Sequence, residues 1–483
     1  MFGITRAPEI NRPGLVWLNT PKPLSLAELK GRVVILDFWT FCCINCIQVL
    51  PSLRRIEEAF GDRVAVIGVH SPKFAAERKA GNVAEAVARY GIRHPVIHDP
   101  YMSLWQDYAV RAWPTLVFLS PDGQVVGQVS GEPNPEALLE GIGHMLAEFE
   151  KEGRITPGPA FLQDPPARTG SLRYPGKIKP CPGGLWAVAD GGHHQIALFD
   201  DKGQEVARFG SGQEGLLDGD AAHARFASPQ GLACDDKAIW VADTGNHALR
   251  RIDRASGHVT TIAGQGLRGP ALRGREQAGH LLLASPWDVE LAGGKVYFAN
   301  AGTHQLAVYD PESDSIALAA GSGGENIIDG LAERALLAQP SGLSLSPNGK
   351  QLYFADSETS AIRRLDLDSG EVETLVGTGL FDFGLEDGDF ADALLQHPLG
   401  LVALEDAVLV ADSYNNALRR LDLASRRVET IPWGDCADAL CLPLGEPAGI
   451  AVAAPNRLLL SDSNNHRILD INLSLNTYCT WRD

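Results

Sequence analysis

Val34-Ile35-Leu36-Asp37-Phe38-Trp39-Thr40-Phe41-Cys42-Cys43-Ile44-Asn45-Cys46 decides how the first third of this chain is read. An apolar, β-branched run ends in an aromatic pair. Cys43 and Cys46 then follow, where a helix is expected to begin. A thiol at a helix N-terminus meets free backbone N–H groups and the positive end of the helix dipole, and both favour the thiolate. Strand, turn, Cys-x-x-Cys and helix together describe a reactive dithiol.

The flanking sequence extends the pattern. Residues 48–60 have amphipathic helical spacing, with Leu50, Leu53 and Ile56 on one face and Pro51 in the first turns. Residues 64–69 read as a buried strand, and 75–90 as a helical crossover between parallel strands. Thr115–Leu119 follows Trp113-Pro114 as a further strand. Pro121-Asp122-Gly123 then turns it into a hairpin with 124–129, and 135–149 closes the domain as a helix.

These residues resemble the thioredoxin-like family, in particular its bacterial branch with a helical insertion before the proline loop. The resemblance covers roughly residues 15–150. It implies Cys43 as attacking cysteine, Cys46 as resolving cysteine, and Asp37 as the buried carboxylate that helps deprotonate the resolving thiol. It also implies Pro114 as a cis-proline facing the disulfide, with Trp113 beside it, and Pro51 as the proline that kinks the helix. Cys42 stands where the family has tryptophan, and Ile44-Asn45 replaces its Gly-Pro spacer. Cys42 reads as a small space-filling residue or as a third, auxiliary thiol. The implied chemistry is thiol–disulfide exchange: a thiolate attacks a disulfide sulfur and the neighbouring thiol resolves the mixed disulfide. That needs a redox-active disulfide and no other cofactor. The competing readings are half of a zinc site, for which no second Cys/His pair has suitable spacing, a non-catalytic cysteine pair, and a purely structural Asp37.

Beyond residue 170 the sequence repeats. Six copies of an apolar strand ending in Asp or Asn close at Asp190, Asp243, Asn300, Asp356, Asp412 and Asp462, spaced 53, 57, 56, 56 and 50 residues apart. Periods near that length, with several short strands each, are those of propeller blades. A Pro-x-Gly or related unit precedes each copy, as in Pro229-Gln230-Gly231 and Pro340-Ser341-Gly342. Gly-x-Gly units such as Gly264-Gln265-Gly266 recur at the blade junctions. Their periodicity makes them turn devices rather than phosphate loops. Asp243-Thr244-Gly245-Asn246-His247 and Asp462-Ser463-Asn464-Asn465-His466 resemble the NHL repeat.

The chain is thus expected to be an α/β thioredoxin-like domain (1–150), a Pro-rich connector (151–170) and an all-β six-bladed NHL propeller (171–483). As a whole it resembles NHL-repeat proteins that carry an N-terminal thioredoxin-like domain with a Cys-Cys-x-x-Cys motif. The paired arginines Arg250-Arg251, Arg363-Arg364 and Arg419-Arg420 read as a basic ring or as bridges to neighbouring acids. Gln230, Trp287, Ser341, Leu399 and Ala448, after the blade-entry prolines, are candidate partner-binding positions, Trp287 the foremost because a wide aromatic near a propeller axis can anchor a partner. Cys181, Cys234 and Cys479 read as buried hydrophobes, and Cys436 and Cys441 as reduced thiols by default with a disulfide as the alternative.

A formal net charge of −18 opposes phosphate binding, so neither nucleic acid nor an anionic membrane is expected as partner. No Asp-x-Asp-x-Asn-Gly loop suggests calcium, and no metal is expected. With no N-terminal signal in Met1-Phe2-Gly3-Ile4-Thr5-Arg6 and no apolar run of membrane length, the reducing cytoplasm is the expected compartment. The expected function is dithiol exchange on a protein client or reductant docked by the propeller. The alternative is an interaction scaffold with a vestigial cysteine pair.

Overall fold

A computed structural model describes residues 5–164, 170–432, 435–436, 438, 441–475 and 477–483. The chain divides into two compact units, Met1–Ala167 and Arg168–Asp483.

In the first unit, β1 (Thr5–Arg6), β2 (Val16–Leu18), β3 (Val33–Trp39), β4 (Val64–His70), β5 (Val96–His98), β6 (Thr115–Leu119) and β7 (Gln124–Ser130) form one sheet in the order β1-β7-β6-β3-β4-β5-β2. β3 and β4 pair in parallel, as do β4 and β5, whereas β6 runs antiparallel to β3. This is the thioredoxin-like arrangement. Strand alternation sends Val34, Leu36 and Phe38 of β3, with Ala65, Ile67 and Val69 of β4, into one apolar core. The opposite face therefore carries Asp37 and Trp39 from β3 and Gly68 and His70 from β4. α1 (Ile44–Phe60), carrying Pro51 within it, buries Cys46, Val49, Leu53 and Ile56.

The crossover after β4 differs from the single helix expected over 75–90. A short 3-10 turn, Ala76–Arg78, is followed by an extended Lys79 (φ −87°, ψ 116°) and then α2 (Ala80–Arg89). The break has a physical cause. Glu77 turns inward, and its carboxylate accepts the backbone N–H groups of Lys73 and Phe74 at 2.8 and 2.9 Å. Those hydrogen bonds compete with a continuous helix. β5 and the five-residue α3 (Ser103–Asp107), too short for a clear periodic signal, complete the domain with α4 (Pro135–Lys151). Asn134 caps α4 through the N–H groups of Glu136 and Ala137. The expected connector does not begin free of the domain. Thr156 N donates to Gly31 O, Gly158 N to Asp62 O and Gln163 N to Arg93 O, and the Arg32 guanidinium stacks on Phe161.

The second unit is a six-bladed propeller. Blade 1 has four strands, Pro175–Cys181, Leu185–Asp190, Gln195–Asp200 and Glu205–Phe209, and the others repeat the plan, four of them with a short fifth strand. The ring closes by packing of blade 6 on blade 1 without exchange of a strand. A Cβ on Gly449 would lie 2.6 Å from Gly176 O, so the closing contact of the two innermost strands requires glycine. Ser463 Oγ donates to Pro175 O across the same seam.

The repeat residues explain each junction. The Oδ1 of each blade-end Asp or Asn accepts a backbone N–H from the segment entering the same blade, as in Ala227 N to Asp243 and Gly445 N to Asp462. A 3-10 turn follows and ends on a residue with positive φ: His194, His247, His304, Ser360, Asn416 or His466. The side chain of that residue accepts an N–H from the next blade: Ser228 to His194, Ser285 to His247, Gln339 to His304, His397 to Ser360, Glu446 to Asn416 and Tyr174 to His466. The NHL histidine is thus a lock between blades.

The arginine pairs do not form a basic ring. Arg250, Arg363 and Arg419 are fully buried and bridge Asp243, Asp356 and Asp412 at 2.7, 2.8 and 2.8 Å. Their neighbours Arg251, Arg364 and Arg420 pair with Asp253, Glu373 and Asp406.

The cysteines of the propeller correct the expectation most directly. Cys181 and Cys234 are joined in a disulfide, as are Cys436 and Cys441, while Cys479 is free. Cys181 and Cys234 end the innermost strands of adjacent blades, 53 residues apart, which is also the spacing from Asp190 to Asp243. Equivalent positions of neighbouring repeats lie side by side, and that equality was the available signal.

Candidate functional site

β3 ends at Trp39, and the turn Thr40–Cys43 leads into α1. Cys43 is its N-cap residue, extended at φ −81° and ψ 113°, with no side-chain capping bond. Its carbonyl accepts the first helical hydrogen bonds, from Cys46 N at 3.0 Å and Ile47 N at 3.2 Å. The Cys43 side chain is partly exposed and Cys46 is fully buried, both as free thiols. Burial pushes the Cys46 thiol well above the usual thiol range, and the hydrogen bond and charge of Cys43 and the charge of Asp37 push the same way. An accessible thiol at a helix N-terminus thus contacts a buried one that is reluctant to ionise.

Asp37 lies on the α1 side of β3, fully buried, with neither carboxyl oxygen hydrogen-bonded. Burial raises it from 3.8 to about 7, opposed by the charge of His94. Near neutral pH it therefore changes protonation readily, as a proton acceptor for a reluctant thiol must. The Trp113-Pro114 peptide is cis, Pro114 is buried, and Gly131 N donates to Pro114 O at 2.8 Å. Trp113 is partly exposed, packs against Trp105 at 4.3 Å and donates from Nε1 to Ser71 O at 3.0 Å.

Cys42 is buried in a polar setting. Glu77, fully buried, accepts Cys42 N at 3.0 Å and Thr40 Oγ1 at 2.6 Å with one carboxyl oxygen, and Lys73 N and Phe74 N with the other. This buried carboxylate ties the crossover segment to the cysteine turn. Burial raises its pKa against four favourable hydrogen bonds. Sequence reasoning missed Glu77, because Arg78, Lys79, Glu85 and Arg89 are charged in the same stretch and nothing singled it out. Two further buried features were also missed. His70 and His98 approach at 3.3 Å through their Nδ1 atoms, with Phe41 stacked on His70, and His94 Nδ1 meets Glu57 Oε1 at 2.6 Å.

The partner-binding candidates lie elsewhere, and burial removes most of them from a partner's reach. Ser341 is fully buried, Trp287 is 9% exposed, and Leu399 and Ala448 are buried; Gln230 is partly exposed. Lys177 occupies the axis, donating to the carbonyls of Leu399 and Ala448 at 2.6 and 3.0 Å. Burial lowers it to about 8. Among the described residues no group of three or more His, Cys, Asp or Glu is placed to hold a metal ion, and no helix is long and apolar enough to cross a membrane.

Fold and site define a thioredoxin-like domain with a Cys-x-x-Cys helix head, followed by an NHL propeller. The AhpC/TSA family model matches residues 5–128. NHL repeat-containing protein 2 of Bos taurus is 36% identical over 509 residues, which are 96% of this chain and 70% of that protein. Protein SUPPRESSOR OF QUENCHING 1, chloroplastic, of Arabidopsis thaliana is 39% identical over 485 residues, 95% of this chain but 46% of that longer protein. Thiol-disulfide oxidoreductase ResA of Bacillus anthracis is 30% identical over 117 residues, 24% of this chain and 65% of that protein. The chain belongs to the family of NHL repeat-containing protein 2.

Proposed function

We propose that this chain is a thiol–disulfide oxidoreductase acting on protein clients, with the propeller as docking platform. One observation carries the reading: Cys43, partly exposed at the head of α1, is hydrogen-bonded to a buried Cys46 on the face that holds Asp37. Cys43 as thiolate attacks one sulfur of a client disulfide, and the first client sulfur leaves as a thiolate. Cys46 passes its proton to Asp37 and attacks Cys43 Sγ. That breaks the mixed disulfide, releases the second client thiolate and forms the Cys43–Cys46 disulfide. Two electrons pass from the dithiol to the client, and an external thiol reductant restores the pair. Similarity to ResA over the first domain supports this chemistry.

A protein is the proposed client rather than nucleic acid, because the net charge is −18 and the repeat arginines are held by carboxylates. Apolar side chains exposed on the inter-blade loops, such as Leu267 and Phe381, favour docking there over the buried Trp287 and Ser341. The two propeller disulfides favour oxidising surroundings over the cytoplasm.

The test is a trap. Cys46→Ser should accumulate mixed disulfides through Cys43, and wild type should reduce insulin in a way lost with Cys43→Ser. No insulin reduction by fully reduced wild type, together with an empty trap, would leave a scaffold whose cysteines do no chemistry.

A further inference from the structure

On the α1 side of the sheet, the polar atoms buried without a hydrogen-bond partner among the described residues include both carboxyl oxygens of Asp37, Nε1 of Trp39 and Nε2 of His94. They converge on Gly68. β3 and β4 pair in parallel with Asp37 opposite Gly68. A Cβ on Gly68 would lie 3.1 Å from Trp39 Nε1 and 3.4 Å from His94 Nε2. Glycine therefore lets the His94 ring reach the strand beside Asp37. The far nitrogen, Nδ1, is held at 2.6 Å by Glu57 from the second half of α1, with both side chains less than a tenth exposed. A carboxylate on one imidazole nitrogen fixes the proton there and leaves the other free to take one up, the relation used wherever a histidine passes protons. Glu57 in turn lines a crevice of about 10 Å³ with Val64, Pro95 and the connector residues Ala160–Leu162. That is about the room one water needs.

We infer that Glu57 and His94 form a proton relay behind Asp37: His94 Nε2 takes the proton that Asp37 receives from Cys46, and the Glu57 crevice returns it to solvent. The inference rests on the exchange reading for its purpose but not for its test. In the step, the Cys46 S–H bond breaks and an Asp37 O–H bond forms. That bond then breaks as His94 Nε2–H forms through a bridging water, since neither Asp37 oxygen is within hydrogen-bond reach of Nε2. The His94 Nδ1–H bond breaks as a Glu57 O–H bond forms across the 2.6 Å contact, and Glu57 gives that proton to water at the crevice. No electrons move until Cys46 attacks Cys43. The titratable groups on this face include Cys43 at the head of α1, Cys46 and Glu57 from α1, Asp37 from β3, His70 from β4, His94 before β5 and His98 on β5. His94 acts through Asp37 and is a positioning residue, and Asp37 is the group whose titration reports it.

The experiment follows the Asp37 carboxyl carbon by NMR against pH in the reduced full-length chain, assigned by its loss in Asp37→Asn. In His94→Gln the midpoint should rise by about one pH unit, the size expected for loss of one nearby opposite charge. Glu57→Gln, which keeps the shape of the dyad, should also move it. Superimposable titrations in wild type and Glu57→Gln would overturn the relay, and that holds whether or not His94→Gln folds. A second readout separates relay from mere support. Resolution of a preformed Cys43 mixed disulfide at pH 7 should slow about tenfold in Glu57→Gln, while alkylation of Cys43 is unchanged. Equal slowing of both steps would mean a structural role only. The carboxyl titration needs no client, so a failure of exchange and a failure of the relay are seen separately.

Discussion

Glu77 Oε1 accepts the backbone N–H of Cys42 at 3.0 Å, joining a crossover turn to the residue before the attacking cysteine. Four donors converge on this one buried carboxylate. Glu77→Gln turns one acceptor into a donor facing two N–H groups or a hydroxyl and an N–H. Each orphaned buried donor costs about 1–3 kcal/mol, so the first domain should lose about 2–4 kcal/mol. Urea unfolding followed by tryptophan fluorescence measures this, and alkylation of Cys43 should change as the turn loosens. A variant as stable as wild type with an unchanged alkylation rate would show that the clamp does not hold the turn.

Asp37 gives a pH dependence of definite sign. Its folded pKa, about 7, lies above the 3.8 of an unfolded aspartate because burial disfavours the charge. Such a group leaves stability intact below the unfolded value and removes it as pH rises through the folded one. The reduced first domain should therefore weaken from pH 4 to above 7. Asp37→Asn should abolish that slope and be more stable than wild type at pH 8, by about 2–4 kcal/mol. Denaturant midpoints at pH 5 and pH 8 decide the matter, and a mutant weaker than wild type at pH 8 contradicts the buried, unpartnered carboxyl.

Much of this was legible in the sequence because it rests on local pattern. The apolar run into Cys43-x-x-Cys46 needs only strand alternation and a helix start, and the six blades follow from Asp-ended strands at near-constant period. The Glu77 clamp, the Glu57–His94 dyad and β5 were not legible. Their roles depend on burial of polar side chains far apart in sequence, and a three-residue strand such as Val96–His98 leaves no periodic signal. Trp287 and Ser341 misled for the same reason. Their place after the blade-entry proline is regular, but the axis is packed, so position near it brings burial rather than access.

The junction histidines make the propeller acid-sensitive, with a sign opposite to that of Asp37. His247 accepts Ser285 N through Nδ1, and burial lowers it from 6.5 to about 4, with Arg268 acting the same way. His194 is shifted downward too. A group with a depressed folded pKa contributes stability that is full above the unfolded pKa and is lost as pH falls toward the folded value. The propeller transition should thus weaken between about pH 6.5 and 4, by at most about 3 kcal/mol for His247. His247→Asn, which places at this junction the acceptor that Asn416 supplies at another, should flatten the slope while keeping stability at pH 7 within about 1 kcal/mol. Thermal midpoints across that range test it, and an unaltered slope assigns the acid sensitivity to other groups.

Blade 3 supplies a natural control for the buried ion pairs. Where Asp243, Asp356 and Asp412 face an arginine, Asn300 instead accepts Ala284 N at 2.9 Å and donates to Thr303 Oγ1 at 2.7 Å. Asn300→Asp would place a carboxylate there with no arginine bridging it. Its pKa should rise as burial raises that of Asp243, which reaches about 6 even beside Arg250. By the same sign rule as for Asp37, the cost should be small near pH 4 and grow to about 2–4 kcal/mol by pH 8. Arg250→Met approaches the same imbalance from the other side, leaving Asp243 unpaired by its arginine. Breaking a buried pair in this way costs about 3–5 kcal/mol. Guanidinium unfolding of both variants at pH 5 and pH 8 compares them. A pH-independent loss in Asn300→Asp would mean that geometry rather than charge sets the cost at the blade turn.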